Sequence, residues 1–197
     1  MGLGIKSNIN ECFDDLSQAF ENVKDIAMPR ALNTLRDQAQ VAGLRKVSDI
    51  YGIGPRTTEQ YVSVTFADAT DLEATISVKG RGFTLEAMQP RQTRAGVTVT
   101  IKGKRILVPH SFMISRFGSH VFARGSYAGK SKGTRPTGEA FGRFTFGKGR
   151  LPISELFTFG PVEAFSNPEV TEAMQDRVDE QAPAIIAREI KAAARGF

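Results

Sequence analysis

Tryptophan is missing from this sequence, cysteine occurs once and histidine twice. Cys12 alone excludes an intrachain disulfide, and its place on the apolar face of an expected helix reads as a buried, inert thiol. Neither His110 nor His120 has a second histidine or a cysteine at metal-ligand spacing, so a turn histidine and a strand histidine, each satisfied locally, are expected rather than ligands. No Gly-x-Ser-x-Gly elbow recommends Ser-His-acid catalysis. Apolar runs fall short of the ~20 residues that cross a bilayer, and Met1–Ser7 lacks the long apolar stretch of a signal peptide. A myristoylation reading of Gly2 fails because the sixth residue is Lys6. The expectation is a chain with no catalytic, cofactor or metal site and no membrane partner. It is made and used in a cytoplasm-like compartment, or in a particle assembled there.

Acidic residues are also scarce in the middle of the chain. Residues 81–150 hold fourteen Lys and Arg against Glu86 and Glu139, a formal +12, while the remainder holds twelve bases and nineteen acids, or −7. Charge segregated on this scale attracts nucleic acid or an acidic protein surface and says little about fold. The plainer reading is a basic face kept for solubility. At 197 residues and 41% hydrophobic, the chain has the size and apolar content of one globular domain.

Hydrophobic periodicity divides the chain. Ile9, Cys12, Phe13, Leu16, Phe20, Val23 and Ala27 recur at spacings of three and four, which predicts a first helix, with Asn8 and Glu11 as its capping box. Pro29 is placed to start a second helix, whose apolar face is Ala31, Leu32, Leu35, Ala39 and Ala42. Gly43 is expected to end or bend it, with Val47, Ile50 and Tyr51 adding a short turn before Gly52. A sheet follows. Val62, Val64 and Phe66 alternate with polar residues, as do Ala74, Ile76 and Val78, the period-two signature of half-buried strands. Val97, Val99 and Ile101 run through Lys102-Gly103-Lys104 into Ile106 and Val108, a hairpin, and His120 to Arg124 reads as one more strand. Asn167 and Pro168 cap a C-terminal helix carrying Val170, Ala173, Met174, Val178, Ile185, Ile186 and Ile190 inward, with Pro183 expected to kink or divide it.

Gly125 to Gly149 differs in character. Seven glycines, five bases and one acid occupy these twenty-five residues, a composition that predicts a long loop or arm. Gly125-Ser-Tyr-Ala-Gly129-Lys130-Ser131 fails as a phosphate-binding loop, because three residues separate its glycines where four are needed and no helix follows promptly. Phe141, Arg143, Phe144, Phe146, Lys148 and Arg150 interleave aromatics with bases, which suits stacking on single-stranded nucleic acid and equally suits packing into a core or a neighbouring subunit. Asp14, Asp15, Asp176, Asp179 and Glu180 read as solvated faces of helices.

The order of short motifs resembles the prophage minor tail protein Z family, the tail-completion proteins of long-tailed bacteriophages. The resemblance runs through Pro29-Arg-Ala-Leu-Asn33-Thr, Gly82-Phe-Thr-Leu85, Gln92-Thr-Arg94-Ala-Gly-Val97 and Lys102 to Arg105. It continues through Pro109-His-Ser-Phe112, Val121-Phe-Ala-Arg124 and Gly149-Arg-Leu-Pro-Ile153, with Gly160-Pro161 after it. It implies a virion component at the head-proximal end of the tail, assembled in the host cytoplasm, with no catalytic or cofactor residue to carry over. Resemblance to tail neck proteins implies a homo-oligomeric ring, sixfold in that family's manner, in contact with other tail and neck or connector proteins and with packaged DNA as a possible neighbour.

The expected architecture is α+β. Residues 1–54 form a helical N-terminal part, 61–124 a mainly antiparallel sheet, 125–149 the Gly-rich basic loop or arm, and 150–197 an ordered segment with the C-terminal helix. Arg124, Lys130, Lys132, Arg135 and Arg143 are the expected partner-binding basic face, and Phe141, Phe144 and Phe146 the expected subunit contact. The alternative reading is a nucleic-acid-binding protein that uses residues 81–150 directly.

Overall fold

The computed structural model describes residue 21 and residues 23–80, 82–114, 116, 118–127, 144–146 and 149–195. Helix α1 (Met28–Tyr51) is followed by the short α2 (Pro55–Glu59), strands β1 (Val62–Thr65) and β2 (Thr75–Val78), and a 3-10 turn at Leu85–Met88. Strands β3 (Arg91–Thr93), β4 (Gly96–Ile101), β5 (Lys104–Pro109), β6 (Ser111–Met113), β7 (Val121–Tyr127), β8 (Phe144–Phe146) and β9 (Ile153–Glu155) come next. Two helices close the chain, α3 (Pro161–Phe165) and α4 (Pro168–Ala193). The class is α+β, and the pairings among β3 to β9 are antiparallel.

Residues cluster into two compact units, one from the described residues of Met1–Gln40, Val64–Ile76 and Gln175–Phe197, the other from Val41–Ser63 and Ser77–Met174. In the first, Ala31 and Leu35 of α1 bury against Ile185 of α4, with Val178, Ala182 and Ile186 packed around them. These positions follow the three-and-four spacing that puts one stripe of each helix inward. Polar ties fix the loop after β1 to α1. The Asn33 amide donates to Ala67 O at 2.9 Å and accepts from Ala67 N–H at 2.9 Å. Arg36, only 6% exposed, donates to Thr65 O and to Asp37, and its guanidinium stacks 4.1 Å from the centroid of Phe66.

The second unit holds the larger core. Val47, Tyr51, Phe83, Leu85, Met88, Val97, Val99, Val108, Val121, Leu156, Phe159 and Val170 are among its buried members. Phe83 sits edge-on to both Tyr61 and Phe159, with centroids 5.4 and 5.6 Å away, the arrangement aromatic quadrupoles favour. Strands β3, β4 and β5 form one antiparallel sheet in that order. The β4–β5 hairpin turns at Lys102 and Gly103, both with positive φ of 49° and 72°, as a two-residue turn matched to strand twist requires. Strand β7 pairs with β6, β8 and β9.

Several expectations are corrected. Helical turns precede Pro29 without a break, as a π turn at Val23–Ala27; a wide turn is one way a helix accommodates a proline ring. Gly43 does not end α1, which runs on to Tyr51. Its role is close approach, since a Cβ there would lie 2.7 Å from Met174 Sδ and 3.1 Å from Phe165 Cε1. Pro183 does not divide α4, a single helix of 26 residues. Phe66 lies just past β1 and is 64% exposed, with Arg36 over its face, and Ile190 is exposed as well. Within the glycine-rich segment, residues 125–127 and 144–146 are strand, with Gly125↔Phe146 and Tyr127↔Phe144 paired between β7 and β8. Of the first expected helix, residues 1–20 lie outside the described part.

Candidate basic interface

Three segments of chain meet in the second unit around a cleft of about 340 Å³. Gln92 comes from β3, Arg94 and Ala95 from the β3–β4 turn, and Gly96 from the start of β4. His110 sits at the corner between β5 and β6, followed by Ser111 and Phe112 of β6, and Arg124 reaches in from β7.

The floor of the cleft is closed on itself. Buried Ser111 donates its hydroxyl to Val108 O at 2.8 Å and accepts from Val97 N–H at 3.0 Å. Gln92 donates to Gly96 O and accepts the Met113 N–H at 2.8 Å, which ties β3 to β6. The corner depends on two unusual backbone positions. Gly96 has φ +149°, and a Cβ there would fall 2.0 Å from Val108 O, so no other residue fits. His110 carries φ +58° and donates its N–H to Ala95 O.

The walls, by contrast, offer charge. Arg94 and Arg124 are both exposed, and among the described residues no carboxylate pairs with either. The Arg124 guanidinium lies 6.0 Å from the centroid of Phe112, within the range of a cation–π contact. Its cross-strand partner on β9 is Ile153, and directly paired residues project from the same face of a sheet. Ile153 is 43% exposed, so an exposed apolar side chain stands next to Arg124 on that face. The arrangement can seat one or two carboxylates, or a phosphate, without rearranging the floor.

Of the expected basic face, Arg124 is therefore in the cleft, whereas Lys130, Lys132, Arg135 and Arg143 lie outside the described residues. Phe141 does too. Phe144 and Phe146 fall in β8, a strand paired with β7 and not a loop. Arg94 was not singled out by sequence, although it stands inside one of the motifs; nothing in the sequence alone brings residue 94 beside residue 124.

Sequence reasoning also missed an ion-paired bridge. His120, just ahead of β7, has Nδ1 2.5 Å from Glu155 Oε1 on β9 and Nε2 3.2 Å from Glu86 Oε2 in the 3-10 turn. The hydrogen bond to Glu155 is the main cause that raises the imidazole pKa above its usual value; burial opposes it, and the charges of Glu155 and Glu86 add to the rise. With a carboxylate on each ring nitrogen this is a bridge rather than a chelate, and among the described residues no group of His, Cys, Asp and Glu is arranged to hold a metal ion. No helix among the described residues is long and apolar enough to cross a membrane. Compared with family models, with curated proteins and with solved structures, the chain finds no match.

Proposed function

We propose that this chain is a structural subunit that works by contact with protein neighbours, and in its most specific form a tail-completion subunit at the head-proximal end of a long bacteriophage tail. One observation carries the reading. Every residue lining the basic cleft belongs to one of three short motifs on which the family resemblance rests: Gln92 to Val97, Pro109 to Phe112, and Val121 to Arg124. Motifs that are individually weak, and separated along the chain, converge on one surface feature. Convergence of that kind is expected when the motifs share a task, and a hydrogen-bonded floor, with cations at its rim that no carboxylate pairs among the described residues, fits a docking task.

The apolar neighbour of Arg124 favours a protein partner. Exposed Ile153 beside Arg124 offers area that a phosphate backbone would leave wet, while interface cores combine such area with Arg. In this role the chain needs no catalysis, and it forms a homo-oligomeric ring with tail and neck or connector proteins as further neighbours.

Stacking of Arg124 on Phe112 supports a second reading, binding of nucleic acid. The two differ in salt response, because phosphate neutralisation makes affinity fall steeply as salt rises. To test the main reading, purified phage particles are labelled with an antibody against this chain and imaged. Label confined to the head-proximal end of the tail is the expected result; label inside heads, or none on particles, overturns it.

A further inference from the structure

We infer that the basic cleft receives the acidic face of helix α4 from a second copy of this chain, an assignment that rests on the docking reading of the cleft and names its partner. The cleft supplies two cations, Arg94 and Arg124, that lack carboxylate partners among the described residues, on a floor whose polar groups are satisfied. Its volume, about 340 Å³, admits a pair of carboxylate side chains.

The same chain carries the complementary feature. Between Glu169 and Glu180, α4 holds five carboxylates against the single Arg177. Glu169 occupies the first turn, where a carboxylate favours the helix dipole, but that effect fades beyond the first turn and gives no account of Asp176, Asp179 and Glu180. Those three are exposed, and their spacing of three and four places them on one face. Asp176 and Glu180, four residues apart, repel one another. Existing contacts leave capacity for a partner. Asp179 accepts one amide hydrogen bond from Gln175 at 3.0 Å, Glu180 pairs with Arg177 at 3.0 Å, and Asp176 has no ion pair among the described residues. Arg177 is drawn back onto Gln38 of α1 by two hydrogen bonds.

A contact in which a cleft on one copy takes a helix on the next is head-to-tail, the kind that repeats until a ring or filament forms. Charge reversal tests it with the full chain. Arg94→Glu with Arg124→Glu makes the cleft acidic, and Asp176→Lys with Asp179→Lys makes the helix basic while leaving the Arg177–Glu180 pair in place. Self-association of the wild-type chain is measured by sedimentation at low salt, where complementary charges are least screened. Each double variant alone is expected to self-associate about tenfold more weakly or worse, as loss of close charge pairs at an interface produces. Mixed at equal concentration, the two variants regain association, because the acidic cleft then meets the basic helix and the basic cleft meets the native one. Arg94→Gln with Arg124→Gln, which removes charge without reversing it, gives an intermediate loss and guards against misfolding of the first variant.

Three results overturn the inference: wild-type chain that stays monomeric at millimolar concentration and low salt, variants that associate as wild type does, or folded variants whose mixture shows no recovery. Duplex DNA bound by the wild type and lost in the cleft variant, with no contact between copies, assigns the cleft to phosphate and overturns it as well. The assay uses purified chain alone, so its failure leaves the location on the tail to be decided by the labelling experiment.

Discussion

His120 and Glu155 are joined by a contact of 2.5 Å between Nδ1 and Oε1, across 35 residues of chain. The bond links the entrance of β7 to the end of β9, and Glu86 completes it on the other ring nitrogen. Because the folded imidazole pKa is raised, the stabilisation is full below the unfolded value of about 6.5 and is lost as pH rises through the higher folded value. The difference in stability between wild type and His120→Gln is therefore greater at pH 5.5 than at pH 9. Denaturation curves at the two pH values check the sign, and a proton titration of the His120 ring places its pKa above 6.5. Equal differences at both values would show that the bridge carries no charge.

Asn33 holds Ala67 by both backbone groups, and Ala67 is only 5% exposed. Asn33→Ala leaves a buried N–H and C=O without that partner and is expected to cost about 1–3 kcal/mol. Hydrogen exchange at the Ala67 amide reports it locally, with much faster exchange in the variant. Unchanged protection would mean that another group satisfies the loop.

Gly96→Ala is expected to be among the most damaging single substitutions in the second unit. The added methyl meets the backbone oxygen of Val108, not a side chain that can swing aside, and the positive φ adds strain of about 1–3 kcal/mol. A lowered urea midpoint, together with loss of the cleft corner, follows. A variant as stable as wild type would show that the strand crossing is looser than described.

The sequence was legible where local chemistry decides structure. Alternation marked the strands at Val62 and at Ile76, Lys102-Gly103 marked a hairpin turn, and Asn167 marked the start of α4, where its side chain accepts the Glu169 N–H at 3.0 Å. Errors arose where tertiary packing decides. Gly43 looked like a helix breaker because glycine costs helix stability, yet its missing Cβ is what lets Met174 and Phe165 approach. Phe66 looked half-buried from alternation alone, but it lies past the strand's last residue and finds Arg36 instead. The cleft and the His120 bridge were illegible for one shared reason: each joins segments tens of residues apart, which periodicity does not pair. Single-sequence reading quoted the three segments of the cleft without seeing that they meet.

Neutralising the cleft separates function from fold. Arg94→Gln with Arg124→Gln removes exposed charges from a satisfied floor, so stability should change by less than about 1 kcal/mol. Rim charges govern association rate and salt sensitivity. On the tail-completion reading, joining of tails to heads is thus expected to slow about tenfold, more at low salt, where the charges are least screened, than at moderate salt. Joining at the wild-type rate in both conditions would reduce the basic cleft to a solvated face.

The account's central claim is that this chain completes tails, and imaging particles assembled without it tests that claim most directly. Filled heads beside full-length tails that stay unattached, with joining restored on adding back the purified chain, are the predicted result. Normal, infectious particles made in its absence would contradict the account.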